Sequence, residues 1–144
     1  MIKKRDVIRM LVPFPNAESP LAKTPHMYIC LESEYPKKFL KCQTFKANFR
    51  KPSRPPHQFV EVMPNIRHNP FMVLTLVDCD KSFIMNHDIV ICEKLLTKRR
   101  RDVSEELFFK LKEKIQHKNF EEIVLDATTV SQLNDKIKLK DKIK

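Results

Sequence analysis

Asp6-Val-Ile-Arg-Met-Leu-Val-Pro-Phe-Pro15 and Val77-Asp-Cys-Asp-Lys81 are the stretches that decide the fold of this chain. In the first, Ile8, Met10 and Val12 fall on one face and Val7, Arg9 and Leu11 on the other, the alternation of a strand, which Pro13 and Pro15 then stop. The second reads as an apolar strand that ends abruptly in carboxylates. Outward from these, residues 26–32, 39–44, 58–63 and 81–85 carry the strand pattern, and residues 71–77 form a continuous apolar run of the kind buried on both faces of a sheet. Residues 13–25 make a loop too long for a hairpin connection, a candidate binding loop. Glycine is absent and none of the ten prolines lies beyond Pro70, so the front half is punctuated like a β domain.

The back half changes character. Lys98-Arg-Arg-Arg101 precedes Asp102-Val-Ser-Glu105, which has the form of a capping box. Val103, Leu107, Leu111 and Ile115 recur at steps of four with Phe108 beside them, an apolar helical stripe that predicts packing on the sheet. Residues 120–125 fit a continuation of the helix or a further strand. From Lys136 onward lysine alternates with other residues, which reads as a frayed strand or a disordered basic arm; the arm is preferred, so the chain divides into a domain over 1–126 and a basic, disordered tail over 127–144.

Size and charge bound the function. With 144 residues a single domain is expected. Charged residues reach 32%, above the usual ~25%, which predicts a strongly solvated exterior. Lys and Arg outnumber Asp and Glu by 28 to 18, for a net charge of +10, and such a field favours a polyanion whose counterions are released on binding. The charged N-terminus lacks the cleavage site of a signal peptide and no apolar run is long enough to span a bilayer, so a cytoplasmic location is expected. Cys30, Cys42, Cys79 and Cys92 are widely spaced within or beside apolar segments, which suits reduced, packed thiols better than a zinc site. The basic, proline-rich residues 46–57 carry Lys46, Arg50, Lys51 and Arg54, candidate contacts to RNA.

In order and spacing the chain resembles the PemK/MazF toxin family over about residues 4–117. Asp6–Pro15 is similar to the family's opening strand, and Thr24-Pro25 with the apolar residues 27–31 to its second strand and its entry. Cys79-Asp80-Lys81 stands where the family has a Cys-Asp-Gln-like element, and Asp102-Val-Ser-Glu-Glu-Leu107 resembles the opening of its last helix. The resemblance implies a mainly β fold with a C-terminal helix, an SH3-like small β-barrel that forms a homodimer. It implies a toxin of a toxin–antitoxin pair: an endoribonuclease that cleaves single-stranded RNA through 2′-hydroxyl attack without metal or cofactor, and is restrained by an acidic antitoxin protein. Such chemistry needs a base, an acid and cationic groups around the phosphate.

Carried over residue by residue, Thr44 matches the family's phosphate-binding threonine and Asp80 its aspartate, while Lys81 replaces the amide. The family's arginine before the second-strand proline is Thr24 here, with Lys23 one step earlier; its glycine before the opening aspartate is Arg5; and an arginine found in some members is Asp78. Lys23 and Lys81 are the candidate substitutes for the missing arginine as point charges, and His26 the candidate for acid–base work. The catalytic set expected on this basis is Lys23, Thr24, His26, Thr44 and Asp80, with Lys81 beside the RNA. A second reading keeps the fold and the nucleic-acid or protein partner but not the cleavage. Plainer roles compete at each position: a turn carboxylate for Asp80, a strand residue for Thr44, a solvated basic turn for residues 98–101.

Overall fold

The computed structural model describes residues 1–47, 51, 53–86 and 89–140. Arg50, expected at the RNA surface, lies outside them. The fold is mainly β: strands β1 (Val7–Met10), β2 (His26–Cys30), β3 (Lys37–Thr44), β4 (Phe59–Val62), β5 (Thr75–Asp78), β6 (Lys81–Met85), β7 (Ile89–Ile91), β8 (Glu121–Val124) and β9 (Ile137–Leu139). Helix α1 (Pro20–Lys23) interrupts the loop after β1, α2 (Glu105–Lys114) is the predicted helix, and α3 (Ala127–Leu133) follows β8. None of the helices among the described residues is long and apolar enough to cross a membrane.

The main sheet runs β1-β2-β3-β5-β4, and β3 is its axis. Over Phe39–Cys42 one edge of β3 pairs with β2; its other edge pairs with β6 at residues 37–39 and with β5 at residues 42–44. β8 then joins β6 in parallel. The expected mainly β fold with a helix after the sheet is present, but among the described residues a closed barrel is not. Because β3 shares one edge between β5 and β6, the sheet branches, and among the described residues it stays open instead of returning on itself.

Alternation sorts the strands' side chains onto two faces. Ile8, Met10 and Val12 join Tyr28, Cys30, Phe39, Phe83 and Met85 in one cluster. Val7, Ile29, Leu40, Cys42, Val60 and Val77 form the other. Helix α2 covers the second face with Leu111, fully buried, and with Leu107, Phe108 and Ile115 partly buried, as the stripe predicted. Full burial of a side chain such as Leu111 contributes about 1.5–3 kcal/mol, and the partly buried ones less. Ser104 caps the helix by accepting from the Leu107 amide at 3.2 Å, so the cap lies two residues beyond the expected Asp102. Asp102 is taken by Arg5 (3.3 Å) and Arg100 (2.9 Å) instead.

Two further expectations are corrected. Of the apolar run 71–77 only Thr75 onward is strand; Met72 and Val73 stand 67% and 49% exposed on a loop. The expected tail is ordered over residues 127–140. Val130 and Ile137 reach the first cluster, and β9 pairs with β7, so the lysine alternation marks a half-buried strand whose apolar positions are used. Cys30, Cys42 and Cys79 are buried free thiols, as the spacing suggested.

Candidate nucleic-acid interface

The α2 face of the sheet is covered at one end only. Register places Arg9, Met27 and Cys42 side by side across β1, β2 and β3, each two residues along from Val7, Ile29 and Leu40, with Thr44 opposite Thr75 on β5. These residues floor an open groove of about 1240 Å³. One wall is the segment from Lys94 to Arg99, the other the loop of Pro70, Met72 and Val73 with Lys46, Arg54 and Pro55.

The charge of this groove is one-sided. Arg9, Lys46, Arg54, Lys94, Lys98 and Arg99 line it, and no carboxylate does among the described residues. Arg9, Lys46, Lys94 and Lys98 form no ion pair among the described residues, so their charges are left for a ligand. Between the cations lie apolar surfaces, Met27, Met72, Val73, Leu95 and Leu96. The Arg99 guanidinium rests against the Met72 thioether.

A network behind the wall holds it in place. Asp6, fully buried, accepts both Arg101 Nε (2.9 Å) and Nη2 (2.7 Å), a bidentate pair, together with the Lys3 amide at 2.8 Å. The Val7 amide donates to the Arg101 carbonyl (2.8 Å), the Thr97 amide to the Val7 carbonyl (3.0 Å), and the Thr97 hydroxyl to the Arg100 carbonyl (2.6 Å). The basic run therefore divides by role. Arg101 ties the segment to Asp6 and Val7 at the start of β1, Arg100 engages Asp102 and the Ile66 carbonyl, and Lys98 and Arg99 are left lining the groove. Arg5 completes the join with φ of 80°, a left-handed conformation that glycine adopts readily and a Cβ disfavours. Its Nε donates to the Val103 carbonyl at 2.9 Å.

Of the residues picked out by sequence, the groove gathers His26, Thr44, Lys46 and Arg54. His26 Nδ1 lies 2.9 Å from the Thr24 carbonyl. A carbonyl only accepts, so Nδ1 carries the proton and Nε2 is left as an acceptor in the neutral ring. Lys23, Thr24 and Lys51 do not line the groove; Lys23 is exposed and pairs with Glu18 at 3.4 Å.

Asp80 and Lys81 lie outside it too. The Asp80 carboxylate accepts the amides of His57 (2.7 Å) and Gln58 (2.8 Å), and so anchors the start of β4. Lys81 and Lys41 approach Asp78, at 3.8 and 3.7 Å. Burial pushes the Asp78 carboxyl above the usual range against the pull of Lys81 and Lys41, and burial lowers Lys41. That arrangement is a satisfied internal ion cluster.

Arg9 and Lys94 escaped the sequence reading. For Arg9 a signal existed: a single charge on a strand face otherwise apolar has to meet solvent or a ligand. For Lys94, on a short 3-10 turn after β7, the sequence offered none. No protein-family profile, curated protein or solved structure matches this chain.

Proposed function

We propose that this protein binds single-stranded RNA in the basic groove. The observation that carries the reading is a concave surface with six cations, no acid among the described residues, and apolar patches between the charges. Cations neutralise a phosphate backbone. The thioether, aliphatic and guanidinium surfaces suit unstacked bases, which a single strand presents and a duplex keeps stacked inside. The reading does not depend on closure of an SH3-like barrel, and an RNA partner fits a cytoplasmic protein.

A second reading, the metal-independent endoribonuclease of the PemK/MazF kind, draws on one observation: His26, with Nδ1 engaged by the Thr24 carbonyl, and Thr44 both line the groove beside Arg9. In that reading Nε2 takes the 2′-hydroxyl proton as the 2′-oxygen bonds to phosphorus, the P–O5′ bond breaks and the leaving 5′-oxygen takes its proton from water. The hydroxyl of Thr44 and the guanidinium of Arg9 hold the phosphate, and Asp80 takes no part. The acidic antitoxin and the homodimer belong to this reading.

One experiment separates them. The protein is incubated with a fluorescent single-stranded RNA in EDTA, and binding is followed by anisotropy, products by gel. Salt-sensitive binding to intact RNA is the expected result. Fragments ending in 2′,3′-cyclic phosphate, lost in His26→Ala, would establish the nuclease. Absence of binding at low salt would refute both.

A further inference from the structure

The groove is not the end of the basic surface. On and beside strand β9, Lys136, Lys138 and Lys140 are exposed at every second position, Lys138 on the strand and the other two flanking it, while Ile137 and Leu139 between them pack into the first apolar cluster. The three exposed lysines thus form a short basic row over residues 136–140, centred on the strand.

Two contacts join this row to the groove wall. The Cys92 amide donates to the Lys136 carbonyl at 2.9 Å, which brings Lys136 beside the turn that carries Lys94. Leu95 and Leu96, which line the groove, pack against the same cluster as Ile137 and Leu139. The acid between Lys94 and Lys136, Glu93, is engaged by the N-terminal ammonium, which holds its carboxyl below the usual range. Asp135 precedes the row as an exposed carboxylate. At the far end the Lys140 ammonium sits 5.2 Å from the centre of the Tyr35 ring.

We infer that β9 is a second phosphate-tracking surface, along which a single-stranded RNA longer than the groove continues from Lys94 past Lys136, Lys138 and Lys140. The inference rests on the groove as the RNA site. It also gives the exposed lysines of an otherwise ordinary strand a partner: a flexible strand that turns round the wall can follow them, whereas a rigid duplex cannot.

The test compares single-stranded uridine oligomers of about six and about twenty nucleotides, lengths within and beyond the span of a single small binding domain. Wild type is set against Lys136→Gln/Lys138→Gln/Lys140→Gln. For the long RNA the variant's slope of log K against log salt becomes shallower by about 2, at about 0.7 for each phosphate no longer neutralised. For the short RNA both proteins give one slope. A variant that binds the long RNA with the wild-type slope overturns the inference and leaves the groove standing. A groove variant, Arg9→Gln/Lys98→Gln/Arg99→Gln, is run beside them. If it binds the short RNA as tightly as wild type, the groove reading itself fails, and the track built on it with it.

Discussion

Removing Arg9 tests the groove most directly. Arg9 lies on β1 at the groove floor, is exposed, and forms no ion pair among the described residues. Its replacement by glutamine is therefore expected to leave stability within about 0.5 kcal/mol. Its effect on RNA binding follows from counterion release. Six lining cations, each neutralising one phosphate, give a slope of about −4 for a single strand filling the groove. Raising salt from about 50 to about 200 mM then weakens wild-type binding about 300-fold. Without Arg9 the slope falls to about −3.5 and the same change costs about 130-fold. Anisotropy titrations of a short labelled RNA at four or five salt concentrations resolve that difference. A wild-type slope shallower than about −1, or an Arg9→Gln slope equal to wild type's, would refute the reasoning.

Other consequences concern stability and thiol chemistry. At residue 5 the usual order of alanine and glycine should invert. Arg5→Ala and Arg5→Gly both lose the bond to the Val103 carbonyl, but only glycine is at ease at φ of 80°. Urea unfolding should find the glycine variant more stable by about 1 kcal/mol, and an equal or more stable alanine variant would show that the backbone carries no strain there. Burial holds the Cys30 thiol up at about 11 and Cys79 at about 12, and Cys42 is raised further by burial, whereas Cys92 is only half-buried. A thiol reagent near pH 8 should modify Cys92 in the native protein and all four cysteines in denaturant; rapid native labelling of more than one would refute the packing. The same shifts fix a sign. The folded chain keeps the Cys30 proton from its ordinary 9.0 up to about 11 while the unfolded chain releases it. That part of the stability is complete below 9 and is lost as pH rises through about 11, so unfolding midpoints should fall across that interval.

How much of this was legible in the residues depended on the range of the determining interaction. Strand β1 and helix α2 are local: alternation at Val7, Ile8 and Met10 and the four-residue spacing of Leu107 and Leu111 state which face is buried, and the structure buries it. Closure is not local. Whether the sheet returns on itself depends on β3 dividing its edge between β5 and β6, a long-range choice that no window of sequence contains. The same holds for the tail. Alternating lysines are a solvated arm unless something pairs with the apolar residues between them, and β7, some fifty residues earlier, is what pairs.

Asp80 shows why site chemistry was harder to read than site location. A carboxylate at a strand end has two physical uses: to act on a ligand, or to accept amides that the sheet leaves unpaired. Here β5 and β6 both pair with β3 and break at Cys79-Asp80, and beside that break the His57 and Gln58 amides need acceptors. Asp80 supplies both. Each oxygen already accepts a charge-assisted bond of 2.7–2.8 Å, and freeing either would leave an amide of the chain without its partner. The fold thus commits this carboxylate to the backbone at the start of β4 and leaves it no part in the lining of the groove.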